Sequence, residues 1–184
     1  AARSFRARAD DWLVGLLEAG ALAFVALLIF FELRSLVNGE VATLRYGLFE
    51  QSLQTLAWLA LGYGIARAPA LARRPVIMRG GQVLTALAAA QILLGHWLAQ
   101  NPLLSGAPVG AWPMLDLLLL AYLVPAGFAL LFARAYAAQG LATLARIAAL
   151  AAMGLVFVYL CLETRHIFVG PVLSRAPVSD GELY

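Results

Sequence analysis

The chain contains no lysine. Its thirteen basic residues are all arginine, and they face ten carboxylates. Only 12% of its residues are charged, where a soluble domain carries about a quarter. That shortage excludes a water-facing surface of ordinary polarity. A single cysteine, Cys161, excludes both an intrachain disulfide and a CxxC pair. There are two histidines, His96 and His166. No G-x-S-x-G, HExxH, P-loop or paired-carboxylate motif is present, and no metal-ligand set of recognised spacing. The sequence therefore assigns no catalytic residue, no metal and no cofactor. The two histidines fall at different depths on different helices, which argues against a haem. The arginines are dispersed at the ends of apolar segments, so a pI of 9.4 reflects membrane topology rather than nucleic-acid binding.

What is there is apolar: 63% of residues are hydrophobic and the mean hydropathy is +0.86. The sequence reads as an all-α, polytopic membrane helix bundle of about five spans. These are placed at about 12–31, 46–65, 82–99, 113–135 and 141–162. Residues 1–11 form a polar cytoplasmic segment, 12–170 the membrane region, and 171–184 a periplasmic tail. The first apolar run, from Trp12 to Phe31, gives about 30 Å of helix, enough for the hydrocarbon core. It reads as a retained helix rather than a signal peptide.

Arginine placement sets the orientation. With the N-terminus in the cytoplasm, Arg3, Arg6, Arg8, Arg67, Arg73, Arg74, Arg79, Arg134 and Arg146 fall inside. Arg34, Arg45, Arg165 and Arg175 fall outside, which supports N-in, C-out. Within the spans, the Ala86–Ala90 run predicts a close helix approach. Pro113 suits the first position of the fourth helix, Asp116 its first turn, and Pro125 should kink it. Cys161 reads as a small packing residue.

Two apolar runs end alike, one in Glu32-Leu33-Arg34 with Gly39 beyond it, the other in Glu163-Thr164-Arg165 with Gly170. Both fit E-x-R-x-[LI]-x-x-G at the outer end of a span, which predicts a parallel internal repeat. Glu32 and Arg34 lie about 200° apart around one helix and cannot pair with each other. Reciprocal pairs, Glu32 with Arg165 and Glu163 with Arg34, are the expectation.

The outer side collects the unusual residues of the chain: Glu32, Arg34, Glu50, Gln51, Gln54, His96, Asp116, Glu163, Arg165 and His166. Ionisable groups in a membrane segment are candidates for function, and equally for ion pairs that lock helix ends. Glu50, Gln54 and Trp58 are spaced to share one face of the second helix, which should point into protein. Glu18 stands alone in the inner half, where it reads as a proton-relay group or, more commonly for such a residue, as a protonated carboxyl or the partner of an arginine, Arg146 or Arg67.

Two stretches resemble a known family. They are NPLLSGAPVGAWPMLDLLLLAYLVPA, from Asn101, and LETRHIFVGPVLSRAPVSDGELY, which contains Glu163 to Gly170. They resemble the bacterial predicted membrane proteins catalogued as domain of unknown function 2339. Its members carry N-P-L-x-x-G-x-x-V-G and, further on, E-x-R-x-x-F-x-G. Asp116 departs from the family pattern, which has Asn there. The resemblance implies a very long inner-membrane protein in which another apolar helix follows Tyr184. It implies no chemistry for any residue.

Three functions are consistent with these features. The first is a structural or scaffolding module of a larger envelope membrane protein. The second is a transporter or channel component with a polar pathway, and the third a membrane enzyme acting on lipid-linked or periplasmic substrate. The expected partners are the lipid bilayer, the remaining helices of the same polypeptide and envelope proteins, with no nucleic acid.

Overall fold

The structure, a computed structural model, describes residues 2–39 and 47–174. Arg45, Tyr46 and the tail beyond Ser174 lie outside the described residues. Five long helices make up the bundle: α1 (Ala2–Asn38), α2 (Leu48–Arg67), α3, α4 and α5 (Ala142–Val169). Helix α3 is α-helical over Pro75–Ala90 and π-helical over Gln91–Ala99. Helix α4 begins at residue 117, is π-helical over Leu119–Leu123 and α-helical over Val124–Ala138. Single turns, Pro69–Ala72 and Pro102–Ser105, punctuate the connections.

Among the described residues, four helices are long and apolar enough to cross a membrane: Trp12–Asn38, Pro75–Ser105, Leu119–Ala138 and Ala142–Val169. Helix α2, expected as a fifth, falls short because Glu50, Gln51 and Gln54 lower its hydropathy. In water the apolar exterior would be untenable. Leu17 is 72% exposed, Phe24 66% and Phe157 68%, on a belt that only lipid or further helices can cover. Cys161 lies on that exposed surface, not in packing.

Several boundaries differ from the sequence expectation. Helix α3 starts at Pro75 rather than residue 82, since proline is well placed at a helix start and the segment after it contains no other breaker than glycine. Helix α4 starts after Asp116 rather than at Pro113. The close approach of α2 and α3 occurs not at Ala86–Ala90, where only Ala88 is buried, but at Gly62 and Gly81. A Cβ on Gly62 would come within 2.9 Å of the Gly81 carbonyl oxygen, so a larger residue does not fit at this crossing.

The contacts between helix ends show that the chain alternates direction. Arg34, late in α1, meets Glu50, early in α2. Thr55 of α2 meets His96, late in α3, and His96 meets Ala121, early in α4. Asp116, at the start of α4, meets His166, at the end of α5. All of these lie at one pole of the bundle. At the other, Glu18 pairs with Arg74 at 2.6 Å, not with Arg146 or Arg67.

Candidate functional site

The polar pole is built from three neighbouring sets of side chains. The first joins α1 to α2. Glu50 is 3% exposed; its Oε1 lies 3.5 Å from Arg34 Nη1, and its Oε2 accepts from Asn38 Nδ2 at 2.8 Å.

The second set fastens α2, α3 and α4 together around His96, which is fully buried. Its Nδ1 lies 2.9 Å from the Ala121 carbonyl and its Nε2 3.3 Å from Thr55 Oγ1. A carbonyl can only accept, so Nδ1 carries the proton. Tyr122, also fully buried, donates its hydroxyl to the His96 carbonyl at 2.7 Å. One turn away, Gln91 Nε2 donates to Gln54 Oε1 at 3.2 Å. Gln51 lies flat against Gly95, where a Cβ would overlap its amide. Both π-helical stretches fall here, and π turns recur where a helix must re-aim its side chains and carbonyls. Pro125 follows the second of them, at the start of an α-helical stretch rather than as a mid-helix kink.

The third set lies between the start of α4 and the end of α5. Asp116 caps α4: its Oδ1 accepts from the backbone N–H of Leu118 at 2.9 Å and of Leu119 at 3.3 Å. Its Oδ2 lies 2.9 Å from His166 Nδ1. Glu163, one turn before His166 on the same face of α5, accepts at Oε1 from the Met114 N–H. Met114 is held at φ 69°, a left-handed conformation uncommon for a side-chain-bearing residue, and its N–H points inward as a result. Over this set folds the segment before α4, tied down by Val109 N–H to the Pro171 carbonyl and Leu117 N–H to the Val109 carbonyl, each 2.9 Å.

The reciprocal pairing of Glu32 with Arg165 and Glu163 with Arg34 does not form. Arg34 goes to Glu50, Glu163 to Met114 and the His166 region, and Arg165 Nε donates to the Leu173 carbonyl at 2.8 Å. Glu32 is exposed. The two E-x-R segments thus end in different surroundings: at the tip of α5 the segment before α4 folds across and is tied to Pro171. Both ring nitrogens of His96 face protein groups.

Sequence reasoning missed Asn38, Tyr122 and the Met114 N–H. Tyr122 carried a signal: a phenol inside an apolar helix needs a partner for its hydroxyl. The Met114 N–H carried none.

The glycines and asparagine of the loop sequence now have physical roles. Asn101 Oδ1 caps the Pro102–Ser105 turn through Leu103 N–H at 3.0 Å, and Gly106 closes it at φ 67°. Gly110, at φ 132°, lies where a Cβ would press to 3.1 Å from Asp116 Cβ. Gly170 ends α5 at φ 90°. Two distant stretches, 101–125 and 163–170, therefore form one site, and a model of a single family covers them both within residues 1–181. The chain belongs to the DUF2339 family of predicted membrane proteins. Neither the curated proteins nor the solved structures contain a match to it. Membership makes the chain a membrane protein of this family and brings no established chemistry to its residues.

Proposed function

We propose that this DUF2339 segment is a structural module of a larger bacterial inner-membrane protein, a scaffold for further helices and envelope partners. The observation that carries this reading is the His96 clamp. One buried side chain and its own carbonyl hold α2, α3 and α4 through Thr55, Ala121 and Tyr122. Its polar atoms are turned on one another, as in interhelical glue, rather than lining a water-filled path. Two grooves of about 440 and 490 Å³ lie between helices. Their walls are mostly apolar, which suits lipid or another helix and not a polar solute. In the second, the charged pair Glu18 and Arg74 is already matched.

We place the N-terminus in the cytoplasm and the polar pole on the periplasmic side, following the arginine distribution. In this reading Trp12–Gly39 and Leu141–Gly170 are a parallel repeat whose second copy has been built over. A membrane enzyme is the weaker reading. Asp116, Glu163 and His166 have side chains no more than 6% exposed, so a substrate would first have to open the loop above them.

The test compares protein and phenotype. His96→Leu and Glu50→Ala are introduced into the full-length protein, with cellular abundance, thermal midpoint and the deletion phenotype measured together. A scaffold loses phenotype in proportion to lost protein. A variant that retains wild-type abundance and midpoint while losing the phenotype overturns the reading.

A further inference from the structure

Asp116, Glu163 and His166 are brought together from the cap of α4 and one face of α5. Their candidate ligand atoms all lie within 4.8 Å of one another. The side chains are 0%, 6% and 2% exposed. Among the described residues, neither carboxylate has an ion-pair partner other than His166. Two carboxylates and one imidazole thus share a buried site. Burying uncompensated charge is strongly unfavourable, and a bound cation is one way to offset it.

The hydrogen bonds indicate where that charge sits. Each carboxylate has one oxygen held by backbone and one left over. Asp116 Oδ1 is held by Leu118 and Leu119 N–H, and Glu163 Oε1 by Met114 N–H. Asp116 Oδ2, Glu163 Oε2 and His166 Nδ1 are buried and have no hydrogen-bond partner. His166 Nδ1 and Asp116 Oδ2 are 2.9 Å apart, yet they are not aligned to share a proton. In Asp116 one oxygen is tied to backbone donors and the other faces His166, the arrangement that outer hydrogen bonds impose on metal ligands, while Glu163 faces His166 Nδ1 at 3.9 Å with the Oε1 that Met114 N–H orients.

We propose that Asp116, Glu163 and His166 form a binding site for a divalent metal ion of the zinc class. The donor set selects the class. An imidazole nitrogen favours zinc and its transition-metal neighbours, whereas magnesium and calcium take oxygen alone. A tetrahedral ion with bonds of about 2.1 Å has ligand atoms ~3.4 Å apart. The 2.9 Å separation and the 4.8 Å limit bracket that edge, so small rotations of the side chains suffice. Three protein ligands leave one coordination position for water. The ion would join the start of α4 to the end of α5 and hold down the loop between Val109 and Leu117. The proposal does not depend on the scaffold reading.

The experiment uses the full-length protein in detergent, stripped with EDTA and then titrated separately with Zn2+, Co2+, Mg2+ and Ca2+. Bound metal is measured by elemental analysis, the thermal midpoint by unfolding, and Co2+ by its visible absorption. The expected result is one Zn2+ removed by His166→Gln, a raised midpoint with Zn2+ but not with Mg2+ or Ca2+, and a Co2+ spectrum distinct from the aqua ion. Asp116→Asn keeps the capping oxygen and hence the fold. It is expected to weaken Zn2+ binding by about tenfold or more. The proposal is overturned if stripped wild-type protein gives only the aqua Co2+ spectrum, or if the Asp116→Asn and His166→Gln variants bind Zn2+ as wild type does.

Discussion

Pro125 frees the carbonyl that His96 holds. In a regular helix the N–H of residue 125 would bond to the Ala121 carbonyl four residues earlier, but proline has no N–H to give. That carbonyl is instead 2.9 Å from His96 Nδ1. A defect in α4 thus becomes the attachment point for α3, in an apolar interior where an unpaired carbonyl is costly.

The first prediction is a coupling between these two residues. His96→Leu leaves the Ala121 carbonyl unpaired and is expected to cost about 1–3 kcal/mol. Adding Pro125→Ala supplies a backbone N–H for the same carbonyl and should recover about 1 kcal/mol. The check is a double-mutant cycle of unfolding midpoints in detergent. Strictly additive effects would show that proline and histidine do not share that carbonyl.

Glycine at the α2–α3 crossing provides a second prediction. Gly62→Ala forces a Cβ to 2.9 Å from the Gly81 carbonyl and 2.3 Å from Thr85 Oγ1. Overpacking of this kind costs about 1–3 kcal/mol. Gly64→Ala meets nothing within 4 Å. It should be neutral or stabilise by a few tenths to about 1 kcal/mol through lower chain entropy. Equal midpoints for the two variants would contradict the close crossing.

The ion pairs at the two poles should differ in weight. Arg74 is 57% exposed beside Glu18, so Arg74→Ala is expected to change stability by about 0–1 kcal/mol, and less in high salt. Glu50 is almost fully buried between Arg34 and Asn38. Glu50→Ala should cost about 3–5 kcal/mol. Salt-dependent unfolding of both variants tests the contrast, and a reversed order of effects would contradict it.

The general architecture was legible because apolar length and composition decide whether a helix suits a bilayer, and long-range contacts do not enter. The cluster at the polar pole was partly legible for the same reason. Glu50, Gln51 and Gln54 must face protein, and α2 buries all three. Which groups meet was not legible. Glu163 has an arginine two residues away, as Glu32 does, yet its position is set by a loop whose Met114 adopts a backbone conformation that no side-chain pattern announces. Asp116 and His166 come together across a loop that Val109 N–H ties to the Pro171 carbonyl, a pairing between residues far apart in the chain. The metal-ligand rules applied to the sequence read spacing along one segment. A set divided between the cap of α4 and the face of α5 is invisible to them.

The central claim, that the polar pole is packed glue rather than a wet pathway, is tested most directly at Ser52. Its side chain is fully buried on α2 beside Gln51 and Thr55. In a background with Cys161→Ser and no other cysteine, Ser52→Cys is treated with a membrane-impermeant thiol reagent from each side, with Leu36→Cys, 79% exposed, as control. The account predicts labelling of Leu36→Cys from the periplasmic side and none of Ser52→Cys from either. Labelling of Ser52→Cys at a rate close to that of the control would contradict it.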